Sequence, residues 1–192
     1  MTFAAIVLAA GHARRFGGNK MMAPLEGRPL IAHVLDAASA APVETVLLIC
    51  RETLDLETRD SPPPVEEVVI QSDAMSDSLR AGVLAAGDVE GAFVFLGDMP
   101  LVPHTIAERL ARSLRNSYAA VPRCNGQPGH PVLFSRRAFA DIAALAGDAG
   151  AGKLLRARDD VVFVDTDDEG VLLDVDSAAD LARLSDHLTQ QD

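Results

Sequence analysis

Two rhythms of apolar and polar positions alternate along the chain. The unbroken apolar runs FAAIVLAA (3–10), ETVLLIC (44–50) and GAFVFLGD (91–98) read as strands buried on both faces. VEEVVIQ (65–71) reads as a further strand. Between these runs the apolar positions fall at helical spacing, as in PLIAHVLDAASAA (29–41), SDSLRAGVLAA (76–86) and VPHTIAERLARSL (102–114). Ser76 or Asp77 is available to cap the second of these helices. Residues 52–64 are polar and end in three prolines, a loop.

The second half is less regular. YAAVPR (118–123) and HPVLFS (130–135) read as strands around the Gly/Pro loop CNGQPG. RRAFADIAALAG (136–147) is helical, DVVFVDT (160–166) and VLLDVD (171–176) read as short strands, and SAADLARLSDHLTQQ (177–191) as a closing helix. Such alternation predicts an α/β fold, a three-layer sandwich with a mostly parallel central sheet and helices on both faces. Ligands in such folds sit beyond the carboxyl ends of the strands. The loops 10–20, 72–78, 97–100, 123–131 and 174–177 are therefore where chemistry is expected.

The 192 residues suit one domain, and 48% are apolar, enough for a sizeable core. A net charge of −11 argues against nucleic acid and against an anionic membrane as partner. No apolar stretch approaches the roughly 18 residues of a membrane span. The N-terminus shows no basic region followed by a long apolar segment and a cleavage site, so a cytoplasmic protein is expected. The two cysteines, Cys50 and Cys124, form neither a metal motif nor a disulfide framework.

Against this acidic background the loop after the first strand stands out. Gly11 permits a sharp turn and close approach to a ligand. His12, Arg14, Arg15, the Gly17–Gly18 pair and Lys20 follow at once. Backbone amides and concentrated positive charge suit a phosphate group. Yet the loop is not a Walker A sequence, since Met21 follows Lys20, nor a dinucleotide fingerprint, since His12 and Ala13 follow Gly11.

The segment L-A-A-G-x-x-x-R-F-G-x-x-K, Leu8 to Lys20, resembles the signature of the MobA/MocA-like nucleotidyltransferases. MSDSLRAG (75–82), GDMP (97–100), GHPVLF (129–134), GDAGAGKLL (147–155) and LLDVDSAADL (172–181) extend the likeness in the family's order. The resemblance implies a Rossmann-like, nucleotide-diphospho-sugar-transferase-like fold over residues 1–192. A nucleotide-binding half would span about 1–100 and an acceptor-binding half about 101–192. It implies a Mg2+-dependent enzyme in which Leu8, Ala9, Ala10, Gly11, Arg15, Lys20, Ser76 and Ser78 hold the nucleotide. Arg15, Lys20 and Asp98 would act in catalysis, Asp98 and Asp176 would hold the metal, and Gly129, His130, Pro131 and Lys153 would face the acceptor.

Several of these positions have a second reading. Asp98, Asp176, Ser76 and Ser78 can each serve as helix caps, and Asp174 competes with Asp176 as the metal carboxylate. Where relatives commonly carry an Arg, Gly152 stands here, with Lys153 one place later. L-A-A-G is the cytidylyltransferase-like form of the first motif. CTP as donor and molybdopterin as acceptor follow, with a client molybdoenzyme or its chaperone as partner. The same fold can also act as a guanylyltransferase, or on another phosphorylated acceptor. It can also serve as a non-catalytic nucleotide-binding accessory or oxidoreductase module.

Overall fold

The computed structural model describes all residues except 12–15, 55, 57–61, 73, 148–149 and 190–192, and leaves the side chains of 186–189 undescribed. The chain begins with β1 (Phe3–Leu8), followed by the small hairpin β2 (Pro24–Leu25) and β3 (Arg28–Pro29) and by α1 (Leu30–Ser39). Next come β4 (Thr45–Cys50), β5 (Val65–Val69), α2 (Met75–Ala85), β6 (Gly91–Leu96) and α3 (Ile106–Leu114). Then β7 (Ala119–Cys124), β8 (Gln127–Pro128), β9 (Val132–Ser135), α4 (Phe139–Ala143), α5 (Gly152–Arg156), β10 (Val161–Asp165) and α6 (Ala178–Thr189) complete the order.

The main sheet runs β5-β4-β1-β6-β9-β7-β10, with β8 paired to β7. β1 pairs in parallel with β4 and β6, and β9 runs antiparallel between β6 and β7. This bears out the mostly parallel three-layer α/β fold. The double-sided burial expected of the long apolar runs is met by two cores. Phe93 and Phe95 point to the α1/α3 side with Ile31, Val34 and Leu110, while Ala92 and Val94 point to the α2/α4 side with Leu79, Val83 and Ile142. A third small cluster joins Leu184 of α6 to Leu25, Leu30 and Val175.

Two expectations fail. VLLDVD is not a strand: Glu169–Val171 form a 3-10 turn, and residues 173–176 carry no regular structure. The reason is a crosswise docking. The His130 amide donates to the Val171 carbonyl at 2.8 Å, and the Val175 amide donates to the Asp98 carbonyl at 2.9 Å. The segment's hydrogen bonds thus go to the exits of other strands and not to a ladder. Val171 and Val175 are buried while Leu173 between them is exposed, which breaks strand alternation. Secondly, neither Ser76 nor Asp77 caps α2. Ala74 occupies the cap position without a side-chain bond, and its amide is taken by Ser72 Oγ at 3.2 Å.

Gly129 shows how close the docking is. A Cβ there would lie 2.2 Å from the Val171 carbonyl oxygen, closer than atoms can approach, whereas a Cβ on Gly11 would meet nothing within 4 Å among the described residues. Gly129→Ala is therefore expected to cost about 1–3 kcal/mol through forced backbone displacement, and Gly11→Ala to stay within about 0.5 kcal/mol. Urea unfolding of the two variants beside the parent checks this; equal midpoints would refute the docking.

Candidate active site

The carboxyl end of the central strands brings three separated residues together. Lys20 leaves the first loop in a short 3-10 turn, Lys20–Met22, and is buried to 8% exposure. Asp98 follows β6 directly. Its position is set by Gly97, whose amide donates to the Leu8 carbonyl at 2.9 Å. A side chain at Gly97 would run into that carbonyl, the Met21 sulfur and the Ala9 methyl. With the β1 and β6 exits so closely apposed, Lys20 Nζ meets Asp98 Oδ2 at 2.8 Å. The same ammonium lies 3.9 Å from Asp176 Oδ1, so both acidic groups lie within salt-bridge reach of one buried cation.

The capping alternatives for the two aspartates are answered by what they touch. The helix after Asp98 starts only at Ile106, and Asp98 turns to Lys20. At the start of α6, Ser177 and Asp180 form a reciprocal cap. The Ser177 amide donates to Asp180 Oδ2 at 2.8 Å, and the Asp180 amide donates to Ser177 Oγ at 3.2 Å. The cap role is filled one residue later, and the Asp176 side chain reaches the lysine. The Ser177 and Arg183 contacts hold the Asp180 carboxyl down at about 2. Asp174 instead lines a separate cleft with Asp167, Asp168 and Arg183.

Two openings lie near these strand ends, and Lys20 lines the first. One, about 430 Å3, is lined by Ala9, Gly11, Gly18, Lys20, Arg51 and Gln71 among others. Leu8 ends β1, Ala9 is held by its amide to the Ile49 carbonyl at 2.8 Å, and Ala10 is buried. Arg15 lies outside the described residues. The second, about 270 Å3, is mostly apolar, with Leu8, Met75, Val94, Leu155, Gly129 and His130 in its wall. Gly152 also lines it, and Lys153 beside it is exposed. Pro131, between His130 and β9, is buried.

The serines part company. Ser78 shares a helix face with Gly82, whose Cβ position abuts Ile6 of β1. Ser76 shares a face with Arg80, which donates to the Ala143 and Leu145 carbonyls near α4. The Ser76 hydroxyl is buried and has no hydrogen-bond partner among the described residues. Cys50 lines the first opening, but burial, helped by Glu67 and Glu52, pushes its thiol up to about 11, so it is no nucleophile. Sequence reading missed the Lys20–Asp98 contact, which links positions 78 apart. It also missed the Asp180 cap, whose S-x-x-D signal is present at 177–180.

Residues 5–161 match the model of the MobA-like NTP transferase domain. The chain belongs to this family. A member of the MobA-like family is a nucleotidyltransferase, and Asp176 lies beyond the matched region. PucB, a purine catabolism protein of Bacillus subtilis, is 29% identical over 90% of each chain. A probable molybdenum cofactor guanylyltransferase of Thermococcus gammatolerans is 29% identical over 79% of this chain and 78% of its own. The bifunctional protein GlmU of Rhodospirillum rubrum is 31% identical over 69% of this chain, which spans only 31% of GlmU. Rv0371c of Mycobacterium tuberculosis superposes with a TM-score of 0.83 at 27% identity over 97% of this chain and 99% of its own. A manganese complex of the same Mycobacterium protein superposes at 0.80. Among the described residues no helix is long and apolar enough to cross a membrane.

Burial lowers the His130 pKa, outweighing the Val94 carbonyl and the Asp98 charge, which both favour the imidazolium. In the unfolded chain the ring returns to its ordinary value, so the unfolded state takes up the proton first as pH falls. The stability held above that ordinary value should be lost progressively below it, toward the lower folded-state value. His130→Phe should lose less stability than the parent between pH 7.5 and 5.5. Parallel losses in chemical unfolding at the two pH values would exclude His130 as the cause.

Proposed function

We propose that the chain transfers CMP from CTP to the terminal phosphate of molybdopterin, giving molybdopterin cytosine dinucleotide and pyrophosphate. The observation that carries the reading is the convergence of Lys20, Asp98 and Asp176 at the strand ends, with Lys20 lining a polar cleft. An acceptor phosphate oxygen forms a bond to the α-phosphorus as the α–β bridging bond breaks, and the electron pair leaves on pyrophosphate. Nothing in this step needs a covalent enzyme intermediate. It needs two anions placed in line and their charge offset.

The nucleotide-binding half, about 1–100, supplies Leu8, Ala9, Ala10, Gly11, Arg15, Lys20, Ser76 and Ser78. Backbone amides after Gly11, with Arg15 and Lys20, hold the β- and γ-phosphates. The acceptor half, about 101–192, supplies Gly129, His130, Pro131 and Lys153. His130 serves there as a neutral ring in an apolar wall, suited to an uncharged ring edge and not to a phosphate.

A divalent ion fits the residues present. Asp98 and Asp176 offer hard oxygen donors around a point already occupied by positive charge. Among the described residues no cluster of three His, Cys, Asp or Glu completes a protein cage, which suits an ion that keeps waters and takes substrate phosphates. The manganese complex of Rv0371c supports the same reading. When bound there, Mg2+ would polarise the α-phosphate and offset its growing charge. The likeness to a probable molybdenum cofactor guanylyltransferase supports the pterin acceptor and, with it, a client molybdoenzyme or its chaperone as partner. The L-A-A-G form supports CTP.

Pyrophosphate release with each of the four nucleoside triphosphates and purified molybdopterin tests this. CTP should be used far better than GTP, and Ala10→Gly should narrow the gap by widening the strand exit beside the base. Equal use of GTP by the parent removes the cytidylyl assignment. Asp98→Asn keeps the side-chain shape and removes its charge; turnover should fall roughly 100-fold or more while thermal unfolding stays cooperative. Parent-like turnover in that variant removes Asp98 from the chemistry.

A further inference from the structure

The side chain of Lys20 stands between two jobs. It is buried at 8% exposure, with its ammonium 2.8 Å from Asp98 and 3.9 Å from Asp176. It also lines the 430 Å3 cleft that receives the first loop's glycines. A protein binding phosphates with this lysine cannot also hold it against both carboxylates at full strength. A divalent ion on Asp98 Oδ2 competes with an ammonium at hydrogen-bond distance, because like charges so close in a partly buried site repel.

We propose that Lys20 fills the metal position in the nucleotide-free protein, so that metal loads only as nucleotide phosphates draw the lysine off Asp98. This rests on the reading of Asp98 and Asp176 as metal ligands. In the free protein the lysine neutralises a carboxylate pair that would otherwise repel itself. The carboxylates in turn hold the lysine at the edge of the nucleotide cleft. Phosphates arriving there offer the ammonium stronger partners, and its departure uncovers the Asp98 oxygen it had held. Metal and nucleotide therefore bind with positive coupling, and by linkage each tightens the other by the same factor. Free divalent ions in solution leave the empty site largely alone.

Titration of the full chain with Mn2+, followed by the electron paramagnetic resonance signal of the free ion, tests the proposal without any turnover. In the absence of nucleotide, Lys20→Met and Lys20→Gln should bind Mn2+ roughly tenfold or more tightly than the parent. Arg51→Met, which removes another cation of the same cleft, should bind as the parent does. Adding Asp98→Asn to Lys20→Met should erase the gain. A non-cleavable CTP analogue should raise Mn2+ affinity by a larger factor in the parent than in Lys20→Met. If Lys20→Met binds no tighter while Asp98→Asn still binds more weakly than the parent, the lysine lock is wrong and the metal assignment stands. A gain equal in Arg51→Met, or equal analogue factors in the parent and in Lys20→Met, also overturns the lock. If the gain survives Asp98→Asn, the metal assignment falls with it. Circular dichroism of each variant separates loss of fold from loss of binding.

Discussion

The ammonium of Lys20 is where three distant parts of the chain meet, and the arrangement around it depends on that contact. Asp98 reaches it because β1 and β6 leave the sheet side by side, pressed together at Gly97. Asp176 reaches it because the Val175 amide is pinned to the Asp98 carbonyl while Ser177 and Asp180 cap α6 one step later. A buried lysine is tolerable only with such partners, since an unpaired charge in a site this enclosed would be strongly destabilising. The contact thus has two aspects. It satisfies an ion that burial would otherwise expel, and it fixes the relative position of the strand exits.

This molecule also reconciles an acidic surface with anionic ligands. A net charge of −11 repels phosphates at long range. The cleft answers with local positive charge, Lys20 and Arg51, and with glycines that leave backbone exposed. A second opening is mostly apolar and holds a histidine whose pKa burial lowers. Polar recognition and apolar enclosure are thus divided between two openings. Such a division suits the joining of two different molecules better than the binding of one.

How much of this was legible in sequence depends on the range of the interaction concerned. The apolar runs of β1, β4 and β6 announce strands because burial on both faces leaves no choice of residue. The glycine-rich loop and its lysine announce an anion site for equally local reasons. VLLDVD misleads because its hydrogen bonds go to Asp98 and His130, partners that no local pattern reveals. Ser76 and Ser78 look like caps for the same reason that any serine near a helix start does, but their burial against α4 and β1 is decided by tertiary packing. The competition between cap and ligand at Asp176 was half legible, since the S-x-x-D that relieves it is written at 177–180. The direction of the Asp176 carboxylate, toward Lys20, was not.

The crosswise docking of the segment before α6 has a temporal consequence. Lys20 and Asp98 are 78 positions apart, and Asp176 comes as far again after Asp98. Chains fold from the N-terminal side as they emerge from the ribosome. The sheet from β5 to β6 can assemble early, with the lysine already facing its first carboxylate. The second carboxylate is delivered only when the stretch that clasps Gly129 and Asp98 has been made. A nascent chain would therefore form the cleft beside Lys20 long before it could complete the acidic pair.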